Sequence, residues 1–216
     1  MVLDKTFSAE DFSSVKIKDK IVGLNIVGGC KTVRAECSNI PDDVTVEVAD
    51  GVLNIELPEN NMLSRMFRVF YAETLTLYLT DKALESITID VAACNISLEN
   101  VNSGSVMIDS DAGNVTAQNV TAKDCFEVRS GAGDIKLTDI SGGRLTVDAG
   151  AGNIKLKGDI DSLKADCGTG NISFAGTVQD TVSVDSGIGN VDLTFTNKPT
   201  NVSAETGIGK PKIKYI

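Results

Sequence analysis

Asp148-Ala149-Gly150-Ala151-Gly152-Asn153-Ile154-Lys155-Leu156 decides the fold, because the chain repeats it: Asp185-Ser186-Gly187-Ile188-Gly189-Asn190-Val191 stands two copies further on. Aligned on the residue after the second glycine, the copies fall at Asn95, Asn114, Asp134, Asn153, Asn171, Asn190 and Lys210, 18 to 20 residues apart. The second glycines are Gly113, Gly133, Gly152, Gly170, Gly189 and Gly209, and Cys94 holds that place in the first copy. A short alternating run precedes each corner, as in Val106-Met107-Ile108 and Leu145-Thr146-Val147. Another follows it, as in Ile135-Lys136-Leu137 and Ile154-Lys155-Leu156. Period two means one apolar and one polar face per strand. No helical spacing persists, and glycine recurs too often for a helix.

Each copy therefore reads as strand, tight glycine corner, strand and looser corner. Such a unit cannot bury its apolar face alone, so neighbouring copies must stack and share a core. The expected fold is all-β: a single-domain parallel β-helix, or β-solenoid, of about seven coils with an N-terminal β block. Within one elongated domain spanning 1–216, residues 12–84 form the irregular N-terminal block and cap, and 85–216 the glycine-corner coils. Stacked strands lie about 4.8 Å apart, which makes a section about 34 Å long from seven coils. Glycine suits a corner that needs positive φ and close backbone approach. Asn at Asn95, Asn114, Asn153, Asn171 and Asn190 can hydrogen-bond to the copies above and below.

A lone apolar residue after the second strand (Val101, Val120, Ile140, Ile160, Val178) extends the inward set. Ser13 to Leu57 keeps the alternation without the glycine corner, which makes it leading coils or a capping sheet. Asp50-Gly51 there signals a hairpin. Lys210-Pro211 breaks the motif in the last copy, where a proline withholds a donor from a terminal edge.

Composition narrows the chemistry. Asp and Glu number 30 against 20 Lys and Arg, so a phosphate-binding surface lacks the positive field it needs; this argues against nucleic acid and against direct membrane contact. Histidine is absent, which removes imidazole bases, His triads and His metal sites. The 5 cysteines lack C-x-x-C spacing and read as small, partly buried side chains, with a Cys30–Cys37 bridge left open. No cofactor and no metal is expected. No apolar run reaches the roughly 18 residues that span a bilayer, and the first ten residues do not read as a signal peptide.

The run of Asp-x-Gly-x-Gly-Asn-Ile/Val turns behind an irregular N-terminal β block resembles the bacterial putative-adhesin family of β-strand-repeat proteins, relatives of the GIN-domain proteins. The likeness is strongest from Ile87 to Ile213. It implies a β-helix-like fold and association with the cell envelope or surface, with a protein or glycan there as partner. Similar members often carry an N-terminal membrane anchor, so an extracytoplasmic place is implied where such an anchor precedes the chain, and a cytoplasmic one otherwise.

Two constellations stand out. Asp90, Asp109, Asp148, Asp166, Asp185 and Glu205 form an acidic column before the corner, interrupted by Arg129. Carboxylates about 5 Å apart repel by roughly 0.8 kcal/mol per pair even in water. Capping of their own turns by Asx-type bonds is the expected compensation, ahead of a divalent cation. The other is Met62 to Tyr71, where Leu63, Met66, Phe67, Phe70 and Tyr71 share a helical stripe with Arg65 and Arg68 off it. It reads as an end plug, or else as a partner-docking or membrane-surface patch, basic and aromatic within an acidic protein. Three functions remain: a non-enzymatic surface-interaction protein, a scaffold that polymerises end to end, and a β-helix carbohydrate-active enzyme using paired carboxylates. With no Trp and only Tyr71, Tyr78 and Tyr215, little is available to stack on sugars.

Overall fold

A computed structural model describes residues 2–19, 23–38, 45–56 and 74–216. Strands β1 (Val2–Phe7), β2 (Ser14–Asp19), β3 (Gly23–Val27), β4 (Val33–Ser38), β5 (Thr45–Ala49), β6 (Val52–Glu56) and β7 (Thr74–Tyr78) come from the N-terminal block. The repeats supply β8 (Leu84–Ala93), β9 (Asn95–Ala112), β10 (Val115–Ala132), β11 (Ile135–Ala151), β12 (Ile154–Thr169), β13 (Ile172–Val178), β14 (Thr181–Ile188), β15 (Val191–Phe195), β16 (Asn201–Ile208) and β17 (Pro211–Tyr215). The described residues contain no helix; they form a β-solenoid of parallel stacked coils.

The register repeats the sequence period. Val115 pairs with Ile96 on one side and Ile135 on the other, and Val128 with Ile108 and Val147. Like residues therefore stack on like, and in every coil before the one built by β16 and β17 the apolar members of both strands are buried, Val128, Leu137 and Val147 completely. Val101, Val120, Ile140, Ile160 and Val178 form another buried column.

The second corner is more regular than its sequence suggests. Asn100, Asn119 and Asp139 take left-handed backbone conformations at φ of 56°, 53° and 55°, which short polar side chains tolerate best. Asn119 Nδ2 donates to Asn100 Oδ1 at 2.7 Å. The chain turns there without leaving the ladder, so β9 to β12 each run through the corner unbroken.

The N-terminal block supplies both leading coils and a cap. β2 and β3 stack in parallel on β8 and β9, and carry β6 and β7, later in sequence, on their other side. Beyond these the order turns antiparallel: β5 on β6, β4 on β7 and β1 on β4. Asp50 and Gly51, at φ of 52° and 73°, make the tight turn between β5 and β6.

Cys30 and Cys37 are too far apart to bridge. Cys30 N–H binds Leu79 O, while Cys37 pairs with Leu75, four residues back along β7. Four strand residues span about 13 Å, whereas a disulfide needs Cα atoms roughly 4.4–6.8 Å apart. Cys37, Cys94 and Cys167 are buried.

At the other end, among the described residues, β16 and β17 have parallel neighbours only on β14 and β15, and the residues of β17 are exposed along its whole length.

Candidate functional site

The glycine corner comes first, since it positions everything beside it. Gly113, Gly133, Gly152, Gly170, Gly189 and Gly209 have φ from 119° to 157°. A Cβ on Gly152 would lie 2.1 Å from Gly133 O, so no other residue fits without separating two coils. The next residue builds a ladder. Asn114 N–H donates to Asn95 Oδ1 at 3.0 Å, Asn171 N–H to Asn153 Oδ1 at 3.1 Å, and Asn190 N–H to Asn171 Oδ1 at 2.9 Å. Asp134 joins it by accepting from Asn153 N–H at 2.8 Å, and Lys210 ends it, its N–H donating to Asn190 Oδ1 at 3.2 Å. These groups spend their polar atoms on one another, which makes them structural.

The acidic column does not cap the turns. Period two points Asp90, Asp109, Asp148, Asp185 and Glu205 outward, in register from coil to coil, and the exposed Arg129 stands between Asp109 and Asp148. Among the described residues their bonds run sideways: Lys164 pairs with Asp166 at 3.3 Å and Ser203 Oγ donates to Glu205 at 3.2 Å. Water screens the rest of the repulsion. The corner is instead capped from inside by the following residue: Ser186 Oγ donates to Gly170 O at 2.9 Å, and Cys167 Sγ lies 3.3 Å from Gly152 O. Burial pushes the Cys167 thiol above its usual pKa, so it stays protonated and inert. No group of three or more Cys, Asp or Glu among the described residues is placed to hold a metal ion.

On the outer face the column runs on into the leading coils, where Lys18 stands between Asp90 and Glu56. From Glu56 to Arg129 the column carries charges of both signs, and it turns wholly acidic from Asp148 onward. In the mixed part lies a shallow depression of about 200 Å³ lined by Thr88, Asp90, Met107, Asp109, Glu127 and Arg129. Arg129 is paired with Glu127, and Met107 is 44% exposed in mid-sheet. The site thus offers an apolar contact between charges of both signs, on a rigid sheet. The carboxylates of Asp90 and Asp109 are open to water.

Arg65, Met66, Phe67, Phe70 and Tyr71, the other candidate contact, lie outside the described residues. Met107 was not legible as a contact in the sequence, since it fills an ordinary strand place. Its signal is a large apolar side chain at an outward position.

Residues 31–215 match the family described as Toastrack DUF4097. The chain belongs to that family. No curated protein matches this Toastrack chain. Among solved structures, a "putative adhesin" from Bacteroides fragilis is similar at 17% identity and a TM-score of 0.64, over 100% of this chain and 97% of that one. A "putative adhesin" from Parabacteroides distasonis is similar at 17% identity and 0.58, again over 100% and 97%. At such identity these likenesses show the fold of this Toastrack chain alone, and both neighbours are named "putative adhesin".

Proposed function

We propose that this chain is a non-enzymatic interaction module of the adhesin kind, displayed at the cell envelope, and that a protein or glycan partner lies across its outer face at Met107 and Arg129. The observation that carries this is the depression between Asp90 and Arg129, where an exposed methionine interrupts a polar sheet and the column changes sign. A rigid parallel sheet presents such groups at fixed spacing, so binding costs little conformational entropy. The charges at its rim set orientation and association rate more than affinity. The names of the two structural neighbours agree with this reading.

Retention on isolated cell envelopes, cell-wall fragments and a glycan panel tests it. The double variant Met107→Asp with Arg129→Glu should lose retention at least tenfold while its thermal melting stays unchanged, because both side chains face solvent. Absence of retention by the native chain on every surface would overturn the adhesin role. Equal retention of native chain and variant would move the contact elsewhere; Phe67→Ser with Phe70→Ser then asks whether it lies in Met62–Tyr71.

A further inference from the structure

We propose that the open end formed by β16 and β17 is a self-association surface, on which a second copy of this chain sits end to end about a two-fold axis through the Gly209 corner. The two ends of the stack differ. The N-terminal end is closed by β5 antiparallel on β6, and by β4 and β1 on β7. At the other end the last coil leaves its inward side chains open, with Ile213 40% and Tyr215 53% exposed. Among the described residues the exposed large apolar side chains are Met107 and then Ile188, Ile208, Ile213, Tyr215 and Ile216, so all but one belong to the last two coils. The aromatic column runs out into solvent there, Phe174 to Phe195 at 5.7 Å and Phe195 to Tyr215 at 5.8 Å.

Charge selects the occupant and its orientation. Two identical coils placed face to face run in opposite senses, so any strand pairing between them is antiparallel. An axis through the Gly209 corner lays β16 of each copy on β17 of the other. Glu205 stands four residues before that glycine, and Lys212 and Lys214 stand three and five after it. All three are exposed. Each Glu205 then meets the lysines of the other copy, while Ile213 and Tyr215 cover Val202 and Ala204. Ile208, 69% exposed beside the corner, meets its own counterpart near the axis. Pairing β17 with β17 would instead set lysine against lysine.

The backbone fits the same arrangement. Lys210 O accepts from Val191 N–H and Ile216 N–H donates to Phe195 O, so the even-numbered residues of β17 are spent inward. Pro211, Ile213 and Tyr215 therefore turn their backbone outward. Pro211 lacks one donor beside the axis, and the amides of Ile213 and Tyr215 supply the rest. Because the far end is closed, association stops at two copies.

Sedimentation of residues 1–216 across the micromolar range should show a reversible monomer–dimer equilibrium. Ile213→Lys should weaken it at least tenfold with unchanged circular dichroism and melting of the monomer. Glu205→Lys alone should also weaken it. The triple exchange Glu205→Lys, Lys212→Glu, Lys214→Glu should restore it, which a merely structural role for these residues does not predict. A monomer at every concentration, larger species growing in series, or a dimer indifferent to the charge reversal would each overturn the proposal. The outcome is independent of envelope binding, which is read from retention alone.

Discussion

Ser130 and Ser186 occupy the same place in two copies, one residue before the glycine pair and pointing inward. Ser186 Oγ donates to Gly170 O, whereas Ser130 Oγ is buried and makes no hydrogen bond to another protein atom. Removing a satisfied hydroxyl costs about 1 kcal/mol, because its carbonyl partner stays behind; removing an unsatisfied one relieves a desolvated group. Ser186→Ala should therefore lower the urea midpoint, and Ser130→Ala should leave it unchanged or raise it. Ala149, at the equivalent position in the next copy, shows that a methyl group fits there, buried completely. Equal losses for the two variants would show that the column tolerates a hydroxyl for reasons of packing alone.

Among the elements, β1 has the least to hold it, since its neighbour β4 is itself part of the cap. Arg34 grips Asp4 with two bonds, Nε to Oδ1 and Nη2 to Oδ2, each 2.7 Å, and also pairs with Glu36. Lys5 Nζ donates to Val46 O at 3.1 Å and ties β1 to β5. The Arg34 hydrogen bond holds the Asp4 carboxyl below its ordinary value of 3.8. A lowered folded pKa contributes stability above the unfolded value, and that contribution is lost as pH falls through the folded one. Protection of the β1 amides, relative to their intrinsic exchange rates, should accordingly fall below about 3.8, and Asp4→Asn should be less protected already at neutral pH and lose this acid step. An acid step of the same size in the variant would assign it to other carboxylates.

The same elements show how far the residues alone could be read. The glycine corners carry their register with them, so coil period, inward columns and the Asn ladder were legible from Asn95 to Asn190. The N-terminal block alternates without a corner, and alternation names strands but not their neighbours. Nothing near Val15 or Ile17 indicates that Leu53 and Ile55 pack on one side and Ile87 and Ile89 on the other. Likewise Lys18 becomes part of the outer column only through pairing with Asp90, far along the chain. The acidic residues were legible as a column on the outer strands, but not in their bonding: they pair sideways, Lys164 with Asp166 and Ser203 with Glu205, instead of capping their turns, because the corner is already capped from inside.

Taken together, the described residues form a stack capped by antiparallel strands at one end and carrying the exposed β17 at the other, and this gives the same substitution different consequences along its length. An added Cβ would meet Gly113 O at 2.2 Å on Gly133 and Gly189 O at 1.8 Å on Gly209. Alanine at either place forces a coil away from its neighbour, at a cost of at least about 2 kcal/mol. In a solenoid each coil contacts only the next, so a break in the middle severs two stacks that each need the other, whereas a break at the end releases one coil. Gly133→Ala should lower the cooperative melting temperature. Gly209→Ala should leave that temperature nearly unchanged, and raise amide exchange only in β16 and β17. Calorimetry with exchange read by mass spectrometry separates the two. An equal fall in melting temperature for both would mean that the last coil is coupled to the whole stack. In native chain at concentrations where two copies associate, β16 and β17 should instead gain protection, and Gly209→Ala should abolish that gain, because the corner that carries the axis is the one it displaces.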